Sequence, residues 1–246
     1  MLLAGNMSID CDLIVFDKDG TLVDLTSVLL ALARARRQAV ENKGGKEVSD
    51  LWQKTAGIDL ENRTMDYTGP LATAPRPQEI LIAATAFYLK GHTWESARQM
   101  AQEAYDVADQ DMKPPYGSVL LNGVEAALKK MKSHSLKLAI ASTDTHRRIV
   151  QSFEALEIAS LFDAFIGDDD VINGKPHPDM IIEATKKIGV SPAQTVMVGD
   201  SISDMQMGKN AHVKACIGVL TGSTEKEKLA RYANIVIPSV AEISVL

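Results

Sequence analysis

Short, unbroken apolar runs that alternate with amphipathic helical patterns constrain the fold of this chain more than any other feature. The first run is Leu13–Phe16, and comparable runs follow at 136–141, 164–166, 195–198, 215–220 and 235–237. Apolar runs without alternation are typical of strands buried on both faces, as in a parallel sheet covered by helices. Helical spacing separates these runs, as in the stretch 124–131. The sequence therefore predicts βαβ units and a doubly wound parallel α/β sheet.

The stretch 25–115 interrupts this alternation. It is rich in Ala, Leu, Gln, Glu and Arg, shows no convincing strand pattern, and has helical patterns at 29–40, 78–89 and 94–109. Glycines and prolines separate these patterns, and Pro114–Pro115 closes the stretch. We therefore expect a helical insert at 25–115 within a sheet domain formed by 1–24 and 116–246, which together are of normal domain size.

Charge and composition exclude several classes of function. The chain has 26 basic and 32 acidic residues and a net charge of −6, which argues against nucleic acid or an anionic membrane as its main partner. No apolar stretch is long enough for a membrane span, and the start MLLAGNMSIDC lacks the features of a signal peptide. Cys11 and Cys216 lie far apart in the chain, so a disulfide framework is not expected. These features predict a cytoplasmic protein, and they leave its oligomeric state open.

Polar residues follow the apolar runs at the points where the predicted strands end. In open α/β sheets, ligands bind beyond the carboxyl ends of the strands. The residues at these ends are carboxylates, hydroxyls and one lysine: Asp17, Asp19, Ser142, Thr143, Lys175, Asp200 and Asp204. This combination is suited to a magnesium ion together with a phosphate group.

The same residues can be assembled into a phosphoryl-transfer site. The Asp17 carboxylate, placed in line with a phosphorus atom, can form an aspartyl-phosphate. A magnesium ion bound by Asp17 and Asp200 would cancel the repulsion between the carboxylate and the phosphate, and Lys175 would add a fixed positive charge. Asp19 could protonate the leaving oxygen and then deprotonate a water molecule. Ser142, or Thr143 in the neighbouring strand register, would donate to the phosphate oxygens.

Four motifs in this chain resemble those of the haloacid dehalogenase (HAD) superfamily, and they occur in the same order. FDKDGTLVD resembles the first motif, in the DxDGT form of the phosphatases, and the strand 138–142 that ends in Ser142 resembles the second. GKPHPD at 174–179 is similar to the lysine motif, and VMVGDSISDMQMGKNA is similar to the acidic fourth motif. The phosphoglycolate-phosphatase-like subgroup is the most similar one, with β-phosphoglucomutase-like proteins nearby.

The resemblance implies a role for each matching carboxylate. Asp17 would be the nucleophile and a magnesium ligand, and Asp200 a second ligand. Asp19 would be the general acid and base, and would also bind the metal through its backbone carbonyl. Asp204 would belong to the metal site, supporting it through water or through Lys175.

The resemblance also implies a phosphate-binding site and a lid. Ser142 and Lys175 would bind the phosphate group, with Thr143 as a further candidate beside Ser142. An insert between the first and second motifs is where this superfamily carries its helical cap, so 25–115 would lie over the strand ends and select a small phosphorylated metabolite. The expected activity is therefore that of a magnesium-dependent phosphatase that acts through phospho-Asp17.

Two residues depart from the pattern of the phosphoglycolate-phosphatase-like subgroup. Lys18 stands where the subgroup usually has an apolar or aromatic residue, and Leu25 stands where Ser or Thr is common. Both lie in or beside the loop expected to face the substrate.

Asp17 and Asp19 do not distinguish hydrolysis from phosphate transfer within a sugar phosphate, as in a β-phosphoglucomutase. A non-catalytic domain that binds phosphate or accepts a phosphoryl group is the third reading.

Overall fold

The computed structural model describes residues 1–246 and divides the chain into two compact units. The first, here called the sheet unit, consists of Met1–Leu25 and Ser118–Leu246. The second, here called the inserted unit, is Thr26–Gly117. Each unit has its own hydrophobic core.

The central strands and the helices that connect them follow one another along the chain as the sequence pattern suggests, and further elements are added to them. The strands are β1 Leu2–Ala4, β2 Met7–Ile9, β3 Leu13–Phe16, β4 Ile58–Asp59, β5 Thr64–Met65, β6 Lys137–Ala141, β7 Ala164–Ile166, β8 Thr195–Gly199, β9 Ala215–Val219, β10 Ile235–Ile237 and β11 Ile243–Val245. The helices are α1 Leu25–Gly44, α2 Lys46–Ala56, α3 Pro70–Thr73, α4 Arg76–Leu89, α5 Trp94–Asp111, α6 Val124–Ser133, α7 His146–Ala155, α8 Asp179–Ile188, α9 Ile202–Asn210 and α10 Lys226–Leu229.

A six-stranded parallel sheet forms the centre of the sheet unit. Its strand order is β10-β9-β8-β3-β6-β7, and every neighbouring pair is parallel. Every residue of β3, β8 and β9 is buried, which explains why these strands are continuous apolar runs without alternation. The predicted doubly wound parallel α/β fold is confirmed.

The register of the central strands brings their carboxyl ends to one edge of the sheet. Phe16, the last residue of β3, is paired with Ile140 in β6 and with Val198 in β8. The residues that follow these three strands therefore leave the sheet side by side. Asp17, Ser142 and Asp200, predicted as site residues, come from these three strand ends.

A small antiparallel sheet that the sequence pattern did not indicate joins the two chain ends of the sheet unit. Its strand order is β11-β1-β2, with Leu2 opposite Val245 and Ile9. Each of these strands has only three residues, which is too short for a periodic pattern to be visible.

The inserted unit is mainly helical, as expected, but it contains elements that the sequence pattern did not indicate. These are the amphipathic helix α2, the four-residue helix α3, and a hairpin in which β4 and β5 have two residues each. The core includes Trp52 and Tyr105, and the indole N–H of Trp52 donates to the Tyr105 hydroxyl over 3.0 Å. Arg36 and Glu79 form a buried ion pair, and the Arg36 guanidinium lies over the Tyr105 ring.

Two further observations concern the chain as a whole. None of its helices is both long and apolar enough to cross a bilayer. Cys11 and Cys216 are both buried and are not joined by a disulfide bond.

Candidate active site

The turn after β3 carries the first group of candidate site residues. Asp17 lies directly beyond β3, and its N–H donates to the carbonyl of Val198 over 2.9 Å. The chain then turns at Lys18, whose carbonyl accepts hydrogen bonds from the N–H groups of Leu22 and Val23, each over 3.0 Å. Because Asp17 is still hydrogen-bonded to β8, its buried carboxylate is fixed at the carboxyl edge of the sheet.

Three buried carboxylates and one lysine meet at this edge. Oxygen atoms of Asp17, Asp200 and Asp204 all lie within 4.8 Å of one another. Lys175 is 5% exposed, and its ammonium group lies 2.5 Å from Asp17 Oδ1 and 2.7 Å from Asp204 Oδ1. The fold thus brings Asp17, Lys175 and the pair Asp200 and Asp204 from three distant parts of the sequence into one cluster.

Asp204 has protein partners on both of its carboxylate oxygens. Its Oδ2 accepts hydrogen bonds from the N–H and the hydroxyl of Ser201, over 3.1 and 2.5 Å, at the start of α9. Its Oδ1 faces Lys175. The side chain packs against Gly199, where an added Cβ would lie only 2.5 Å from the Asp204 Cβ. Asp204 therefore fixes the position of the Lys175 ammonium group.

Asp200 is enclosed by two glycine-containing turns. Its Oδ1 accepts a hydrogen bond from the Thr21 hydroxyl over 3.4 Å. Gly20 has a φ of +85°, and a Cβ there would lie 2.9 Å from Asp200 Cγ. A Cβ at Gly222 would lie 1.7 Å from Asp200 Oδ2. The Thr221 hydroxyl donates to the Gly20 carbonyl over 2.6 Å and joins the two turns.

The loop with Thr221 and Gly222 is a part of the site that the sequence analysis missed. It follows β9, which is the next strand of the sheet after β8. The rule that ligand sites form beyond the carboxyl ends of strands applies to this strand as well, so the signal was present in the sequence.

Ser142 and Thr143 follow β6, and their side chains differ in environment. Ser142 is buried, its N–H donates to the Ile166 carbonyl over 3.0 Å, and its hydroxyl accepts from the Asp144 N–H over 3.2 Å. Thr143 is exposed. Neither hydroxyl is hydrogen-bonded to the three carboxylates, so the phosphate-binding roles of both residues stay predictions.

Asp19 lies beside the carboxylate cluster and has a buried lysine as its ionic partner. The ammonium group of Lys18 lies 3.1 Å from Asp19 Oδ2 and 2.7 Å from Asp144 Oδ2. In the sequence, Lys18 stands out only as a departure from the subgroup pattern, and no motif points to Asp144 as a site residue. The structure places both next to the expected general acid.

The family model for haloacid dehalogenase-like hydrolases matches residues 14–218, which is most of the chain. The chain belongs to this family. The match begins within β3 and extends into β9, so it includes the four sequence motifs and all the residues described above except the loop after β9.

Curated relatives of this HAD hydrolase are phosphatases. A phosphorylated carbohydrates phosphatase of Thermotoga maritima is 24% identical over 94% of this chain and 95% of its own length. A phosphoglycolate phosphatase of Shigella boydii is 36% identical over 80% of this chain and 77% of its own length. The predicted superfamily and class of enzyme are confirmed.

Solved structures share the fold of the HAD hydrolase. A β-phosphoglucomutase from Clostridium difficile is 21% identical, and the match covers 96% of this chain and 93% of that chain, with a TM-score of 0.58. At this level of identity the likeness concerns the fold alone.

The cluster of Asp17, Asp200, Asp204 and Lys175 has an excess of negative charge that a cation could compensate. Burial raises the pKa of Asp17 to about 6, against the attraction of Lys175. Burial and the carboxylates of Asp17 and Asp204 raise the pKa of Asp200 to about 8. Burial acts to lower the pKa of Lys175, but the adjoining carboxylates of Asp17 and Asp204 raise it overall. One lysine does not neutralise three carboxylates, and a divalent cation would remove the remaining repulsion.

The donor set suits a hard divalent cation. All three groups are carboxylates, and their oxygens are close enough together to share one ion. Asp17 Oδ1 lies against the Lys175 ammonium group, whereas the side-chain hydrogen bond to Asp200, from the Thr21 hydroxyl, is a long one. The HAD hydrolase thus has a buried acidic triad that fits a divalent metal.

Gly222 provides a test of this site that leaves all its charges in place. We expect Gly222→Ala to displace the Asp200 carboxylate, because the new Cβ would overlap Asp200 Oδ2. The affinity for Mg²⁺ should fall by about 10- to 100-fold, as for other residues that position metal ligands. Isothermal titration calorimetry with MgCl₂ measures the change. Ser223→Ala, at the exposed next position, is the control, and equal affinities in both variants would refute the assignment.

Proposed function

We propose that this chain is a magnesium-dependent phosphatase of small phosphomonoesters, of the phosphoglycolate or sugar phosphate type, that acts through phospho-Asp17. The observation that carries the proposal is the cluster of Asp17, Lys175, Asp200 and Asp204 at the carboxyl edge of the sheet. The phosphatase names of the relatives support the substrate class.

The first step transfers the phosphoryl group to the enzyme. An oxygen of Asp17 attacks the phosphorus atom, and the bond from phosphorus to the ester oxygen breaks. Asp19 gives its proton to the leaving oxygen, so that an alcohol departs. Burial raises the pKa of Asp19 while Lys18 opposes this change, and the raised value increases the protonated fraction that can serve as acid.

The second step regenerates the enzyme. Asp19, now ionised, takes a proton from water while the water oxygen attacks the phosphorus atom of phospho-Asp17. The acyl–phosphate bond breaks, inorganic phosphate forms, and the Asp17 carboxylate is restored. Both steps use the same carboxylate of Asp19 as proton carrier, first as acid and then as base.

The remaining residues bind the phosphate group and the metal. Lys175, positioned by Asp204, and the hydroxyl of Ser142 or Thr143 would hold the phosphate oxygens. Asp17, Asp200 and the backbone carbonyl of Asp19 would ligate Mg²⁺, with Asp204 supporting the site. When bound, the ion supplies positive charge that polarises the phosphoryl group. The insert predicted at 25–115 would act as the cap that selects the substrate.

Asp19→Ala tests the division of labour between the two aspartates. We expect phosphorylation of Asp17 by 4-nitrophenyl phosphate to persist, because this leaving group departs without a proton. Steady-state turnover should fall by about 10²- to 10⁴-fold, since hydrolysis of phospho-Asp17 needs a base. Rapid acid quench followed by mass spectrometry should show the phosphorylated protein. Asp10→Ala, which removes an exposed carboxylate, is the control, and undiminished turnover in Asp19→Ala would refute the role.

An activity panel tests the proposal as a whole. The protein is incubated in MgCl₂ with phosphoglycolate, sugar phosphates, nucleotides and pyrophosphate, and both inorganic phosphate and isomerised product are measured. Release of phosphate from a small monoester is the expected result. Isomerised sugar phosphate in place of free phosphate would show a mutase instead. Magnesium binding without any turnover would show a non-catalytic phosphate-binding or phospho-acceptor domain.

A further inference from the structure

Lys18 is a buried charge whose position the proposed chemistry does not explain. Its side chain is 1% exposed, and its ammonium group has two carboxylate partners, Asp19 and Asp144. An ammonium group in the protein interior is costly unless it is paired, so these two partners determine where Lys18 lies. These two contacts occupy two of the three N–H donors of the ammonium group.

Asp144 is a well-anchored partner for this lysine. Its N–H donates to the Ser142 hydroxyl over 3.2 Å, and its carbonyl accepts from the Asp168 N–H over 3.0 Å. Its Oδ1 lies 3.3 Å from Arg148 Nε. Ser142 and Asp168 therefore hold the backbone of Asp144, Arg148 in α7 lies against its side chain, and Asp144 in turn pairs with Lys18.

The Asp19 carboxylate depends on Lys18 for its orientation. Its Oδ2 pairs with Lys18, and its Oδ1 is buried and accepts no hydrogen bond. The side chain is 27% exposed, so it has room to rotate if the ion pair is lost. A general acid needs its oxygen within hydrogen-bond reach of the leaving group, and a small misplacement is costly.

We infer that Lys18, anchored by Asp144, is a positioning residue that holds the Asp19 carboxylate in place for proton transfer. The inference rests on the proposed function, because it concerns the acid and base of that reaction. It also gives a purpose to the position where this chain departs from the subgroup pattern. A lysine between the two aspartates ties the turn after β3 to the loop after β6, which an apolar residue would not do.

The experiment compares two substrates that differ in their need for an acid. 4-Nitrophenyl phosphate has a good leaving group, whereas ethyl phosphate has a poor one that must be protonated. For Lys18→Met, we expect kcat/KM to fall by about 10- to 100-fold with ethyl phosphate and by less than about threefold with 4-nitrophenyl phosphate. Asp144→Asn should show the same selectivity with a smaller loss. Inhibition by inorganic phosphate should stay the same in both variants.

A control variant and a second test variant separate an effect on proton transfer from an effect on folding. Lys132→Met removes another lysine–aspartate ion pair of the sheet unit, that of Lys132 with Asp163. This variant should have the wild-type kcat/KM with both substrates. Circular dichroism and thermal unfolding establish whether each variant is folded. If Lys18→Met does not fold, Asp144→Asn decides the matter, because it keeps the buried lysine and removes only its anchor.

The possible outcomes distinguish the positioning role of Lys18 from the proposed phosphatase function. An equal loss with both substrates, or no loss, would overturn the positioning role while the phosphatase proposal stands. Weaker inhibition by inorganic phosphate in Lys18→Met would show that Lys18 binds the substrate phosphate, which also overturns the inference. Wild-type protein that in MgCl₂ releases phosphate from neither of these substrates nor from any monoester of the activity panel would overturn the proposed function, and this inference with it.

Discussion

Asp17→Asn is expected to abolish turnover of 4-nitrophenyl phosphate in MgCl₂, with a loss of at least about 10⁴-fold. An amide oxygen is a poor nucleophile, and the substitution also removes a charged partner of Lys175 and an oxygen donor for the metal. Steady-state kinetics measures the loss, and acid-quenched mass spectrometry should find no phosphorylated protein.

The control for Asp17→Asn is Asp10→Asn, which makes the same chemical change at an exposed position of the sheet unit. This variant should retain wild-type activity. Turnover by Asp17→Asn near the wild-type level would exclude the phospho-Asp17 mechanism. Activity that is lost together with the fold would show as a change in thermal unfolding, which separates a catalytic effect from a structural one.

Asp200→Asn is expected to have two opposite effects, on metal binding and on the stability of the metal-free protein. The affinity for Mg²⁺ should fall by at least about 100-fold, because the substitution removes a charged ligand. The metal-free protein should unfold at a higher temperature than the wild type near pH 7. Burial and the carboxylates of Asp17 and Asp204 raise the pKa of Asp200 to about 8, so folding must either protonate this carboxyl group or bury a repelled charge, and an amide requires neither. Asp200 is 5% exposed, so solvent screens this repulsion little.

Thermal unfolding with and without MgCl₂ measures both effects of Asp200→Asn in one experiment. In the wild type, the ion should raise the unfolding temperature by binding to the native state. In Asp200→Asn, this rise should be absent at the same MgCl₂ concentration. Asp168→Asn, in the exposed loop after β7, is the control and should behave as the wild type. A full magnesium-dependent rise in Asp200→Asn would remove Asp200 from the proposed metal site.

Most of the sheet could be predicted from the sequence because its strands are buried on both faces. β3, β8 and β9 are continuous apolar runs for that reason, and the amphipathic helices between them mark the crossover connections. The small sheet of β1, β2 and β11 and the hairpin of β4 and β5 could not be predicted. Their strands have two or three residues, and long-range pairing rather than local pattern defines them.

The candidate site was also predictable where strand ends and motifs coincide. Asp17, Lys175, Asp200 and Asp204 were all selected from the sequence, and the structure brings them into one cluster. Gly222 was missed although it follows a predicted strand. What makes it important is the close approach of its backbone to a carboxylate, and a linear sequence does not show such distances.

The sequence by itself determined the superfamily, the order along the chain of the six central strands and their connecting helices, and the identity of the carboxylates and the lysine at the strand ends. Only the tertiary structure decided which of these groups contact one another and which charges are buried. Lys18 illustrates the difference, because its neighbours in the sequence do not reveal its ion pair with Asp144. That pair forms because parallel pairing of β3 with β6 brings their two following loops together, across more than a hundred residues of chain.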